Sequence, residues 1–401
     1  MDDQTRCIHP PAISTAGYAS LSVGVERAST IVFPDGESYA RRKERGPDGY
    51  SYGLAGTPTA RTLEAQITAL EGGYRTVLTP SGLSAVTTAM LAVLRPGDSV
   101  LIPDSVYPPV RNFATGFMAN LGVTPVFYDP LLGAAITDLI DERTKLVWVE
   151  SPGSTTMEVQ DLPAIAAAAR ARGVTVGCDN SWATPLLFKP LANGADLSVE
   201  AITKYIGGHS DLLMGSITSR DAAVHDRIKK TIGHLGLGVS PDDCALALRG
   251  IQTLAVRLRQ SSATALELAQ WLVGRPSVER VLHPALPTCP GHAVWTRDFE
   301  GASGVFTVVF DRRCAARLYE AVSALSVFRI GASWGGAHSL VAPMTLSGAR
   351  SATVWTGPDP MLRISVGLEA TEALRADLEG MLATLDGKAT EQVSLFQPAG
   401  G

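Results

Sequence analysis

Short, continuous apolar runs recur along the first half of the chain, and most are separated by segments with helical spacing. "SVLIP", "TPVFYD", "KLVWVES" and "VTVGCD" are short runs rich in β-branched or aromatic residues. A strand that is apolar on both faces must be covered on both sides. Ahead of them, "TPTARTLEAQITALEGG" carries Leu63, Ile67 and Leu70 on one face and stops at a Gly-Gly pair. "SGLSAVTTAMLAVLRPGD" and "DLPAIAAAARARG" read as largely buried helices, and "YRTVLT", "ADLSVEAITK" and "LLMGSITS" as further strands. Alternating strand and helix predict an α/β layer around a mainly parallel sheet.

The pattern changes after "PDDCALALRGIQTLAVRLRQSSATALELAQWLVG", which reads as a long helix with at least one break. Beyond it, "GVFTVVF", "RCAARLYEAVSAL" and "MLRISVGLE" suit a smaller α+β lobe. A chain of 401 residues exceeds what one core of ordinary size needs. The expected division is an N-terminal arm over 1–57, a large domain over 58–255 and a small domain over 256–401. The arm is rich in turn formers ("DGESYARRKERGPDGYSYGLAG") and reads as extended and partly mobile. The tail "GKATEQVSLFQPAGG" reads as loosely held.

Hydrophobic residues at 45% and charged residues at 18% suit a packed protein, not a disordered one. The net charge is −5 and the single basic cluster, "ARRKER", is flanked by acids, which excludes nucleic acid as the main partner. No apolar stretch approaches the roughly 18 residues a membrane span needs. The N-terminus lacks a basic flank followed by an apolar run, so no signal peptide is expected. Cys7, Cys178, Cys244, Cys289 and Cys314 show no CxxC pairing, which suits reduced thiols in a cytoplasm. His209, His225 and His234 lack HExxH spacing, so no metal is expected.

Ligands of open α/β sheets sit outside the carboxyl ends of the strands. Four features fall at such ends: Asp179 in "VGCDNSW", Lys204 in "AITK", Ser81 and Gly82 in "TPSGLS", and Tyr107 in "IPDSVYPP". A charged lysine at the end of an apolar run costs free energy unless it is paired, neutralised or covalently occupied. An amine that forms an imine, an acid for a ring nitrogen, an aromatic for a ring face and amide donors for a phosphate together point to pyridoxal 5'-phosphate. Free N–H groups at the helix start after Ser81 can cradle that phosphate, and Thr203 adds a hydroxyl beside the lysine.

Longer motifs in fixed order carry a resemblance. "ITKYIGGHSDLLMG", "VESPGSTTMEVQD", "CDNSWATPLLFKPL", "VLHPALP" and "SWGGAHSL" resemble the pyridoxal-phosphate enzymes of cysteine and methionine metabolism, over about residues 12 to 385. The resemblance implies a fold-type-I transferase fold, with a mainly parallel seven-stranded sheet and a smaller α+β C-terminal domain. It implies that Lys204 holds the cofactor as an imine and acts as the catalytic base. Asp179 would pair with the ring nitrogen, and Tyr107 would stack on the ring beside the chemistry. Ser81, Gly82, Leu83 and Thr203 would bind the phosphate. Arg363 would clamp the substrate carboxylate, with Ser333 and Trp334 lining the substrate side. Tyr52 would reach a neighbouring subunit's site, to bind cofactor and assist catalysis. The implied assembly is a homotetramer built from dimers that share active sites.

Within the family, γ-acting members commonly have a glutamate where this chain has Ala332, and leucine where it has Trp334. The "SWGG" form resembles the β-acting carbon–sulfur lyases. That implies splitting L-cystathionine into L-homocysteine, pyruvate and ammonia, in methionine biosynthesis or trans-sulfuration. A γ-acting relative (a cystathionine γ-synthase, a γ-lyase or a sulfhydrylase) is the alternative. The family's usual Tyr-Gly-Arg is Tyr52-Gly53-Leu54 here, so one phosphate cation is missing, and Arg61 is a candidate substitute. A nicotinamide dehydrogenase also has a doubly wound sheet, but its GxGxxG spacing after a strand is absent. A non-catalytic interaction protein is disfavoured by the intact Lys204, Asp179 and Arg363.

Overall fold

A computed structural model describes residues 16–46, 49–346 and 348–388. The expectations for Cys7, the start of the arm and most of the C-terminal tail fall outside those residues.

Seven strands form the central sheet: β1 (Arg75–Thr79), β2 (Ser99–Pro103), β3 (Thr124–Tyr128), β4 (Thr144–Glu150), β5 (Thr175–Asp179), β6 (Leu197–Glu200) and β7 (Gly215–Ser219). Their order is β1-β7-β6-β5-β4-β2-β3. β7 runs antiparallel to both neighbours, and the β3-β2-β4-β5-β6 ladders are parallel. The apolar strands are covered on both faces, as their composition requires: β2 and β6 are buried throughout. One cover is helix α1 (Pro58–Glu71), with Leu63 and Ile67 fully buried. Another is α2 (Gly82–Val93), which buries Ala85, Val86, Ala89 and Met90.

A second sheet has the order β10-β11-β12-β9-β8, built from β8 (Val278–Leu282), β9 (Val305–Phe310), β10 (Arg329–Ile330), β11 (Leu340–Met344) and β12 (Met361–Ser365). It has its own core, in which Phe306, Phe310, Leu362 and Ile364 meet Leu374 and Leu378 of a C-terminal helix. Among the described residues of the arm, only short helical turns interrupt coil, and Tyr18, Leu21, Val32 and Tyr39 are exposed.

Two local expectations change. The long helix α3 (Pro241–Leu272) is unbroken. Gly250 in its middle marks a close approach, since a Cβ there would lie 2.4 Å from the carbonyl oxygens of Ile206 and Gly207. Close packing with the turn after Lys204 offsets the helix-propensity cost of glycine. The strand expected to run through Lys204 stops at Glu200. Ser181 Oγ accepts the Ala201 N–H at 2.7 Å, and turns closed by Lys204 N–H to Ala201 O and Gly207 N–H to Ile202 O follow.

Candidate active site

A cavity of about 240 Å³ opens at the carboxyl ends of β4, β5 and β6, and both lobes wall it. Ser81, Gly82, Leu83, Tyr107, Asp179, Thr203, Lys204, Trp334 and Arg363 line it together. Ser333 is not among those residues but meets the site through Lys204. Tyr52 does not reach this cavity: it is 55% exposed, in the arm.

At one end is the start of α2. Ser81 caps it, its Oγ accepting the Ser84 N–H at 3.0 Å. Gly82 and Leu83 supply the first two helical N–H groups, which have no carbonyl four residues back to bond. A Cβ on Gly82 would fall 2.6 Å from Ala201 Cβ, so glycine lets α2 begin against the turn that carries Lys204. The result is a donor pair at a positive helix end, suited to an anion. Thr203 differs from expectation. Its hydroxyl donates to Met214 O at 3.1 Å and accepts the Met214 N–H at 2.9 Å, so its one proton is already engaged.

Lys204 Nζ donates to Ser333 Oγ at 2.7 Å and lies 5.2 Å from the Trp334 ring centre. Burial, aided by the nearby Arg363 charge, pushes its pKa down to about 8, while Asp179 opposes the shift. The "SWGG" glycines have a packing reason. Gly335 has φ +82°, and a Cβ there would sit 2.9 Å from Tyr205 N. Only a glycine lets the small-lobe loop lie this close to the Lys204 turn.

Asp179 closes β5, and its Oδ1 accepts the Ser181 N–H at 3.0 Å. Burial raises its pKa, with the Ser181 bonds and the Lys204 charge opposing. A positive ring nitrogen would relieve this buried acid. Arg363, on β12, donates from Nη2 to Ala332 O at 2.5 Å and to Ser333 O at 3.3 Å. No other hydrogen bond of its guanidinium forms among the described residues, which leaves donors for a carboxylate.

Tyr107 follows the turn after β2, and its backbone N–H donates to Glu150 Oε2 at 2.8 Å. Burial raises the phenol pKa, and the Arg363 charge opposes this. Glu150 itself was missed by sequence reasoning, although it ends β4 just as Asp179 ends β5. Burial pushes its pKa well up, with the Asp179 charge adding to the effect. The quoted motif "VESPGSTTMEVQD" also proves to line the cavity, through Gly153, Ser154, Thr155 and Met157.

Arg61 is engaged elsewhere. It donates to Glu64 Oε2 at 2.6 Å, one helical turn on, and to Ala55 O at 2.5 Å. Among the described residues no group of His, Cys, Asp and Glu could hold a metal ion. His225 is buried, with its pKa pushed down to about 4 by burial and by the Lys229 charge.

The donor set fits a phosphorylated aromatic aldehyde: free N–H groups at one end, a low-pKa amine in the middle and, among the described residues, a buried acid without a salt bridge. Residues 4–383 match the family described as Cys/Met metabolism PLP-dependent enzyme. A relative called putative cystathionine beta-lyase, from Rhizobium johnstonii, is 44% identical, with 90% of this chain and 91% of the relative covered. An L-alanine/L-glutamate racemase of Wolbachia pipientis wMel is 39% identical, covering 91% and 93%. The crystal structure of cystathionine gamma synthase from Xanthomonas oryzae pv. oryzae, in complex with aminoacrylate and cysteine, superposes with a TM-score of 0.84 at 30% identity, covering 93% of this chain and 95% of that one. The chain belongs to the Cys/Met metabolism family of PLP-dependent enzymes, and its cofactor is pyridoxal 5'-phosphate.

Proposed function

We propose that the protein is a carbon–sulfur β-lyase that splits L-cystathionine into L-homocysteine, pyruvate and ammonia. The observation that carries this reading is the wall formed by Ala332, Ser333 and Trp334 against Lys204. It offers no carboxylate beside the amine, and Lys204 is the base at hand. The relatives that carry the β-lyase name support the same reading.

Bound pyridoxal phosphate supplies an electron sink for charge that develops at the substrate's α-carbon. The residues supply the rest. Arg363 holds the α-carboxylate with its unengaged donors. Lys204 Nζ removes the Cα proton, which its lowered pKa favours. As the Cβ–S bond breaks, the sulfur takes the bonding pair and the same Nζ returns a proton to it. Asp179, ionised against a positive ring nitrogen, keeps that nitrogen protonated. Gly82 and Leu83 N–H groups hold the phosphate, with Ser81 beside them. Tyr107 and Trp334 keep water from the reacting face. Released 2-aminoacrylate then hydrolyses to pyruvate and ammonia.

Tyr52, exposed and far along the arm, completes the site of a second copy in a cytoplasmic homotetramer of paired dimers. Light scattering on the purified protein tests the assembly. Identifying the thiol released from L-cystathionine tests the reaction, with homocysteine expected. Amino-acid racemisation is a second reading, favoured by the Wolbachia relative. It uses the same Cα proton, releases no thiol, and leaves a D-amino acid.

A further inference from the structure

The connection from β11 to β12 leaves the small lobe and lies across two large-lobe loops that wall the cavity. One loop is the turn from Asp104 to Tyr107, and the other runs from Gly153 to Met157. Asp104 is buried and accepts three successive backbone N–H groups: Ser351 at 3.0 Å, Ala352 at 3.0 Å and Thr353 at 2.7 Å. Arg350 reaches the other loop, donating from Nη2 to Glu158 Oε1 at 2.7 Å and to Thr156 Oγ1. Thr353 joins the halves. Its hydroxyl donates to Asp104 Oδ2 at 2.8 Å and accepts from Arg350 Nη1 at 3.1 Å. The two loops also meet directly, where the Ser154 N–H donates to Ser105 O at 2.8 Å.

The backbone of the second loop points the same way. Thr155 and Met157 have φ of +70° and +59°, in the left-handed region that side chains disfavour and a β-branched one most of all. Such residues persist where their surroundings over-determine them. Arg350 bonds Thr156 and Glu158, the residues that alternate with the strained pair.

We propose that the segment Arg350–Thr353 is a positioning clamp for the active site. It holds Tyr107 and the 153–157 wall in register with the lobe that carries Arg363 and Trp334. Thr353 is its joining residue and touches no reacting atom. The proposal rests on the cavity being the pyridoxal phosphate site.

Thr353→Val keeps the shape and removes both hydroxyl bonds, while Thr353→Ser keeps them. For each holoenzyme, the rate of cofactor release on dilution and the visible circular dichroism of the bound cofactor are measured. Thr353→Val is expected to release cofactor three- to tenfold faster with a weakened dichroic band, and Thr353→Ser to stay within twofold of the wild type. Asp104→Asn should move both readouts the same way. Wild-type release and dichroism in Thr353→Val, even with a lower Tm, would overturn the clamp and leave a mere loop anchor. A wild-type protein without bound pyridoxal phosphate would refute the cavity reading itself, and the clamp with it.

Discussion

Lys204 Nζ donates to Ser333 Oγ at 2.7 Å, across 129 positions of the chain. The bond sets the amine at the junction of the lobes, where burial and Arg363 act on it together.

Attachment of pyridoxal phosphate to the stripped protein needs a neutral amine. Its rate should therefore rise with pH and level off above about 8, the value to which Lys204 is pushed, not above the roughly 10.4 of a free lysine. Arg363→Gln removes a repelling charge and should move the midpoint up; Asp179→Asn removes an attracting one and should move it down. Stopped-flow absorbance reads all three. A wild-type midpoint near that of free lysine would show that the junction does not tune the amine.

Lys204→Ala should lose turnover by at least ~10³-fold, about 4 kcal/mol at about 1.36 kcal/mol per tenfold. It should also lose the visible band of the lysine-linked cofactor. Steady-state kinetics with an absorption spectrum checks both, and retained turnover would remove Lys204 from the chemistry.

Asp179→Asn should keep the cofactor bound but slow Cα proton loss by ~10²- to 10³-fold, because a neutral amide cannot hold a proton on the ring nitrogen. Exchange of the substrate α-proton with deuterated water, followed by NMR, isolates this step. An unchanged exchange rate would mean that another group secures that proton.

Glu71 and Glu200 are both buried. Ser198 Oγ donates to Glu71 at 3.0 Å, and Asn180 Nδ2 to Glu200 at 3.0 Å. Burial pushes Glu71 up to about 7 from an ordinary 4.5, and pushes Glu200 up as well. The folded state thus keeps a proton that the unfolded chain releases, so stability falls as pH rises through that window. Glu71→Gln should flatten the fall, which is on the order of 1–3 kcal/mol. Urea midpoints at the two ends of the window measure it. An equal slope in wild type and variant would place the proton elsewhere.

The sheet and the carboxyl-end residues were legible because they depend on local pattern. Continuous apolar strands could be covered only as an α/β layer, and Asp179, Tyr107 and the start of α2 follow from strand ends. What long-range packing decides was not legible. The long helix runs unbroken through Gly250, whose partners, the Ile206 and Gly207 carbonyls, lie far away in sequence. Lys204 read as a strand end because Ser181, which terminates β6 through Ala201, is 20 positions off. Thr203 read as a phosphate donor because its hydrogen bonds to Met214 carry no sequence signal. Asp104 and its partners, some 247 positions on, show no pattern at all.

The keto acid formed from L-cystathionine tests the central claim most directly. Lactate dehydrogenase with NADH, backed by mass spectrometry, identifies it. A β-lyase yields pyruvate in step with homocysteine, and Lys204→Ala yields neither. Formation of 2-oxobutyrate with free cysteine would contradict the account, since it requires cleavage at the γ-carbon.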